Sequence, residues 1–182
     1  MLFLHGEFKI EPPLPGNHLA YLDKFSRVRH MKRDVKLLEK LRDPLREAVG
    51  LPLGLDGAYY VAGEIPVDRD PTILNYNEPP LEQPGLWCFW APTGNGESFA
   101  WRDVNKDYDY DTWLKYLIKY FFNPWNYKLS GKIDCCYYFS EFVYPNGEEN
   151  EEVEIQYVEE AELIIKDDNI VIENDLGTSK CS

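Results

Sequence analysis

Apolar and polar positions alternate in only a few stretches of this chain, and those stretches predict its strands. Phe3 to Ile10 alternates well enough for a first strand, stopped by Pro12-Pro13 and Pro15-Gly16. Leu86 to Trp90 and Glu97 to Arg102 predict a strand pair. The turn between them is Thr93-Gly94-Asn95-Gly96, because Asn-Gly tolerates the positive φ such a turn needs. Lys132 to Phe139 sets Ile133, Cys135, Tyr137 and Phe139 against Lys132, Asp134, Cys136 and Tyr138. Val153 to Lys166 and Ile170 to Ile172 predict further strands, with turns at Asn146-Gly147 and Asp167-Asp168-Asn169.

A helical period replaces the alternation elsewhere. Asn17 is a good N-cap for a helix with Leu19, Leu22 and Phe25 on one face, running to Val28 or His30. Asp34 opens a short helix carrying Val35, Leu37, Leu38 and Leu41. Asp43-Pro44 and Gly50 bracket a third by the cap, N1-proline and trailing-glycine pattern. The clearest helix starts at Asp109 or Asp111, turns Trp113, Leu114, Leu117, Ile118 and Phe121 inward, and is stopped by Asn123-Pro124. Between these blocks, Leu51 to Pro84 is a long connection rich in Pro, Gly and Asp. Within it Ala58 to Ala62 predicts a short strand and Ile65 to Pro80 an irregular loop. A connection of that length either covers a sheet edge or has a function of its own.

In order, these elements describe an α+β fold: one antiparallel sheet with two main helices on one face. The succession β-α-β-β-α-β permits a ferredoxin-like core with extra C-terminal strands. With 182 residues the chain is long enough for one domain, expected over 1–175 with a flexible tail over 176–182. All five tryptophans lie between Trp87 and Trp125, so the centre of the core is expected there.

Composition changes the picture mainly through charge. The formal net charge is −13, which argues against a general affinity for nucleic acid and suits a basic partner or simple solubility. No apolar run approaches the ~18–20 residues needed to cross a bilayer. The start, Met1-Leu2-Phe3-Leu4-His5-Gly6-Glu7, lacks the pattern of a secretory signal, so a cytoplasmic protein without membrane contact is expected. The four cysteines, Cys88, Cys135, Cys136 and Cys181, have the spacing of neither a disulfide framework nor a zinc site. A reduced protein is the simplest expectation.

No enzyme class gains support from the remaining residues. The run Asp103-Val-Asn105-Lys-Asp107-Tyr-Asp109-Tyr-Asp111 resembles a calcium loop in its alternation, but neither register supplies the glycine at position six or the glutamate at position twelve. Helix capping explains these acids. Cys88 has apolar neighbours and no local base, so a buried inert thiol is expected. No serine sits in a nucleophile elbow, and Gly94-Asn-Gly96 lacks the setting of a phosphate loop. No cofactor, metal ion or catalytic residue is predicted.

Charge is unevenly distributed. From Lys24 to Arg46 there are nine bases and three acids, a net of +6, which leaves −19 for the rest. From Glu141 to Asp175 there are thirteen acids and one base, Lys166. The basic segment offers Arg27, Arg29, Lys32, Arg33 and Lys36 for contact with phosphates, unless it pairs internally. The acidic hairpin offers Glu148, Glu149, Glu151, Glu152 and Glu154, with Asp107 and Asp109 nearby, for a basic groove on a partner. The bland alternative for those acids is a solvated strand edge that like charge protects from aggregation.

Several blocks look familiar together. They are Arg29-His-Met-Lys-Arg-Asp34, Asp43-Pro-Leu-Arg-Glu-Ala-Val-Gly-Leu-Pro-Leu-Gly54, Gln83-Pro-Gly-Leu-Trp-Cys-Phe-Trp90, and Trp113-Leu-Lys-Tyr-Leu-Ile118 followed by Pro124-Trp125. Over about residues 20 to 135 the chain resembles a family of small proteins encoded by bacterial prophages and mobile elements. In that setting its length and acidity are similar to a type II-A anti-CRISPR protein. The resemblance implies a non-enzymatic inhibitor that binds the Cas9–guide RNA complex and blocks DNA recognition or cleavage. It supplies no site residues of its own. A regulatory module that binds nucleic acid through residues 24–46 and an enzyme on the same fold are the alternatives.

Overall fold

The computed structural model describes residues 2–63, 69–102, 109–143, 153–166 and 169–174. The expected turn at Asn146-Gly147, the tail over 176–182 and the acids Asp103 and Asp107 lie outside them. The expected first strand is broken at Gly6, whose φ of +118° turns the chain between β1 (Leu2–His5) and β2 (Phe8–Glu11). Helix α1 (Gly16–Phe25) follows, then β3 (Lys32–Arg33), α2 (Val35–Leu38) and α3 (Pro44–Ala48). The long connection contains β4 (Ile73–Asn75) and leads to the hairpin of β5 (Trp90–Thr93) and β6 (Ser98–Trp101). Helix α4 (Tyr110–Leu117) runs on into a π turn, Ile118–Phe122. Three more strands follow among the described residues: β7 (Lys128–Val143), β8 (Val153–Lys166) and β9 (Asn169–Asn174).

The fold is α+β, and its main sheet has the order β5-β6-β2-β7-β8-β9, with β1 also paired to β7. Every pairing is antiparallel. The first and third core strands, β2 and β6, are neighbours, and β2 separates β6 from β7. Strand β6 likewise separates β2 from β5. That interleaving is the strand order of the split β-α-β arrangement the element succession permits. β8 and β9 then extend the sheet beyond it.

Local chemistry explains most element ends. Asp34 caps α2 by accepting from the Lys36 and Leu37 amides at 2.9 and 3.3 Å. At α3 the Asp43 carboxylate accepts from the Arg46 amide, and Glu47 accepts from the Asp43 amide at 3.0 Å, a reciprocal cap one residue wider than a capping box. Helix α1 ends earlier than its apolar period predicts and starts after Pro15, which provides no side-chain cap in place of the expected Asn17. Ala58 to Ala62 forms no strand; a 3-10 turn, Leu55–Gly57, precedes it. The first hairpin strand begins at Trp90 rather than Leu86.

The core is aromatic. Trp90, Trp113, Tyr21, Phe8, Phe25, Phe99, Phe121 and Phe122 are its largest fully buried side chains. Phe121 of the π turn meets Tyr21 and Phe25 of α1 at ring-centroid distances of 5.8 and 5.1 Å. Phe122 meets Phe99 of β6 edge-on at 5.0 Å, and Phe99 stacks on Trp90 at 5.8 Å. Rings thus link both helices to the sheet, each favourable pair adding about 0.5–1.5 kcal/mol beyond its area term.

Candidate partner-binding site

β7 and β8 are the longest strands among the described residues, and their paired ends past Tyr137 are termed the arm. Among the described residues β1 pairs with β7 as far as Leu2↔Tyr137, and β9 pairs with β8 as far as Ala161↔Asn174. β7 and β8 stay in register from Tyr138↔Val158 to Val143↔Val153. Residues 138–160 hold eight carboxylates and no Lys or Arg. In the ladder Glu154 stands opposite Phe142, Glu160 opposite Cys136, Glu141 opposite Ile155 and Glu159 opposite Tyr137, so acids recur along both strands.

The base of the arm is fixed to the body. Tyr110, in the first turn of α4, meets the Tyr137 hydroxyl at 2.5 Å. Burial, then that hydrogen bond, holds the Tyr110 phenol well above its ordinary pKa, so it stays neutral. Lys132 reaches Glu162 across the β7–β8 pair at 2.7 Å. Asp109 is exposed and immediately precedes Tyr110, which puts it at the arm's base; its side chain does not cap α4. Glu148, Glu149, Glu151 and Glu152 lie outside the described residues, in the sequence that joins the two strands of the arm. Glu154 is on β8 itself.

The basic segment has a different fate: most of its cations are engaged within the protein. Arg27 pairs with Asp23 at 3.0 Å. Lys32 reaches Asp56 at 3.8 Å and Glu78 at 3.4 Å. Arg29 donates to the Tyr76 carbonyl and to Asn77, with its guanidinium 4.0 Å over the Tyr76 ring and 5.7 Å from the Trp87 ring. Arg33 is buried, bonded to Asp70 and Thr72 at 2.6 Å each, and lies 5.1 Å over the Tyr60 ring. Burial raises the Asp70 pKa, but hydrogen bonds from Thr72 and Arg33 outweigh it and hold the carboxyl below its usual range. Arg42 and Arg46 pair with Glu47 and Asp43. The partners of Arg29, Lys32 and Arg33 all come from residues 56–87, so the basic segment stitches the long connection to the body. Lys36 is exposed, as is Lys40.

Other candidate chemistry is buried or absent among the described residues. His30 is buried between Phe25 and Trp113, and burial lowers its pKa to about 3 against a backbone hydrogen bond that raises it. Cys88 and Cys135 are buried free thiols; burial raises both, Cys135 to about 12. Neither can act as a thiolate nucleophile near neutral pH. Among the described residues no group of three or more His, Cys, Asp or Glu is placed to hold a metal ion. Among the described residues no helix is long and apolar enough to cross a membrane.

Two features went unseen in the sequence. Cys136 is disulfide-bonded, contrary to the expectation of a fully reduced chain. Spacing alone does not say which sulfurs a fold brings together. The second is a set of exposed apolar residues, Leu55, Leu74, Tyr76 and Leu81, at 57%, 61%, 44% and 63% exposure, all within the long connection. The amide of Leu81 donates to Asp56, next to Leu55, so two of the four are close in space. The chain matches no protein-family model, no curated protein and no solved structure.

Proposed function

We propose that this is a non-enzymatic binding protein whose acidic β7–β8 arm enters a basic groove of a nucleic-acid-handling effector. In its specific form, the partner is the Cas9–guide RNA complex, and the protein is a phage- or mobile-element-encoded anti-CRISPR inhibitor acting in the cytoplasm of the bacterial host. The observation that carries the reading is that the paired ends of β7 and β8, with the sequence joining them, hold eight carboxylates and no cation. Cas9 holds its nucleic acids in positively charged channels, so the charge is of the right sign. The resemblance of the blocks at 29–34, 43–54, 83–90 and 113–125 to prophage-encoded proteins supports the setting. The internal engagement of Arg27, Arg29, Lys32 and Arg33 favours this reading over nucleic-acid binding through the basic segment.

The test is Cas9 cleavage of a guide-matched target with increasing amounts of protein. Wild-type protein stops cleavage. Reversal of Glu148, Glu149, Glu151, Glu152 and Glu154 to Lys raises the concentration needed by about tenfold or more and removes the dependence of binding on salt. Unchanged cleavage at a large excess of wild-type protein overturns the Cas9 reading. Salt-sensitive binding to duplex DNA in the absence of Cas9 transfers support to the basic segment.

A further inference from the structure

We propose that the surface carrying Leu55, Leu74, Tyr76 and Leu81 is a docking site for a second kind of partner, a protein segment that sets carboxylates among apolar side chains. The proposal goes beyond the acidic-arm reading and does not depend on it. Exposed apolar side chains are ordinary singly and informative together. Among the described residues five large ones are exposed, and four of them belong to this surface. A continuous set of contacts joins the four. The Asp56 carboxylate, next to Leu55, accepts from the Leu81 amide at 3.3 Å and lies 3.8 Å from the Lys32 ammonium. Lys32 also reaches Glu78 at 3.4 Å, and Glu78 accepts at 3.1 Å from Asn75, which stands between Leu74 and Tyr76. The backbone is tied in the same place. Lys32 pairs with Asn75 in the β3–β4 ladder and donates its amide to the Glu78 carbonyl at 2.8 Å. The Asn77 amide donates to the Asn75 side chain at 2.9 Å, fixing the turn that presents Tyr76. A surface held this way loses little freedom when a partner covers it.

Charge and hydrogen-bonding capacity decide the partner. The acids of the surface are already supplied with donors: Asp56 and Glu78 by Lys32, and Glu82, beside Leu81, by the Tyr120 hydroxyl. Arg29 is the exception among the cations. Its Nε donates to the Tyr76 carbonyl, its Nη2 donates to Asn77, and its guanidinium is held 4.0 Å over the Tyr76 ring. Among the described residues it has no carboxylate partner, and its Nη1 is left for an incoming acceptor. At the other end, a Cβ on Gly57 would lie 2.7 Å from Leu38, so α2 packs on the turn that carries Leu55. On that side exposed Lys36 and Lys40, also without a carboxylate partner among the described residues, outnumber exposed Glu39. The surface therefore has positive charge and donors to spare around its apolar side chains. Carboxylates set among apolar groups complete it. Arg29 and Tyr76 beside Trp87 are also the residue types in which binding energy concentrates. A second copy meeting this face would bring the same uncompensated cations, and a nucleic acid would leave the leucines uncovered. The net charge of −13 opposes an acidic partner only at long range, because physiological salt screens it within ~8 Å.

The full-length protein is used to select binders from a displayed library of random peptides about twelve residues long. The enriched peptides are expected to combine Asp or Glu with Leu, Ile, Phe or Trp. With one such peptide bound, the amide chemical shifts of Leu55, Leu74, Tyr76 and Leu81 are expected to move. Its affinity is expected to fall about tenfold or more for the double change Leu74→Ser with Leu81→Ser, and likewise for Arg29→Gln, while Glu154→Lys leaves it unchanged. Both leucines are exposed, so their variant decides the matter if Arg29→Gln unfolds. A selection that yields no peptide, or only basic peptides, overturns the inference. So does a peptide that binds the leucine variant as tightly as the wild type. Sedimentation of the protein alone is the last measurement. Self-association that the leucine variant abolishes puts a second copy on this surface and overturns the stated partner. The acidic arm is judged separately, by Cas9 cleavage.

Discussion

The hydroxyls of Tyr110 and Tyr137 meet at 2.5 Å, joining the first turn of α4 to β7 at the residue that pairs with Leu2. This contact ties α4 to the base of the arm. Replacing Tyr137 with Phe leaves the partly buried Tyr110 hydroxyl without that partner and is expected to cost about 1 kcal/mol. Urea unfolding should show it as a lower midpoint with an unchanged slope. The arm's amides above Tyr137 should exchange faster in the variant. An unchanged midpoint would show that the pair contributes nothing to stability.

His30 gives the protein an acid-sensitive core. Its folded pKa, about 3, lies below the ordinary 6.5, so the unfolded chain binds the extra proton as pH falls. The stability it contributes is fully present above about pH 6.5 and is lost progressively on the way down to about pH 3. The slope approaches about 1.4 kcal/mol per pH unit in the middle of that window. His18, also lowered by burial, acts in the same direction. Stability measured against pH for His30→Gln should rise less steeply between about pH 4.5 and 6 than for the wild type, by about one proton's worth.

The buried Arg33–Asp70 pair is the strongest tie between the basic segment and the long connection, with side-chain exposures of 8% and 5%. Asp70→Asn leaves an uncompensated buried guanidinium, and a loss of about 3–5 kcal/mol is expected. The double change Arg33→Met with Asp70→Asn should recover a large part of it, because the stranded charge is gone. A thermodynamic cycle over the two single variants and the double variant measures the coupling.

The hairpin between β5 and β6 discriminates between its two glycines. At Gly96 φ is +82° and an added Cβ would lie 2.9 Å from the Leu14 carbonyl, whereas at Gly94 φ is +56° and the space is open. Gly96→Ala is therefore expected to cost about 1–3 kcal/mol and Gly94→Ala about 1. Equal midpoints for the two variants in urea would rule out the Leu14 contact as the cause.

Elements announced by local chemistry were legible in the sequence. Asp34, Asp43 and Pro44 mark helix starts because their chemistry acts within one turn, and the amphipathic period of α4 is set by its own residues. What needed a distant partner was not legible. β4 is three residues in a proline-rich connection and is a strand only because β3 pairs with it through Lys32↔Asn75 and Arg33↔Ile73. Trp90 was expected to end its strand and instead begins it, since the register is set by Trp101 across the hairpin. The arm was half legible. Its acids stand in the sequence, but the sixteen-residue reach of β7 shows only once β8 is paired along it.

That reach has a mechanical meaning. β7 runs without interruption from its pairing with β2 at the middle of the sheet to Val143. A force along β7 from its Val143 end would load its ladders with β1 and β2 in shear, because their bonds lie across the direction of pull. They must then give way together instead of opening one after another. The arm is thus anchored in the middle of the sheet rather than hung from one side.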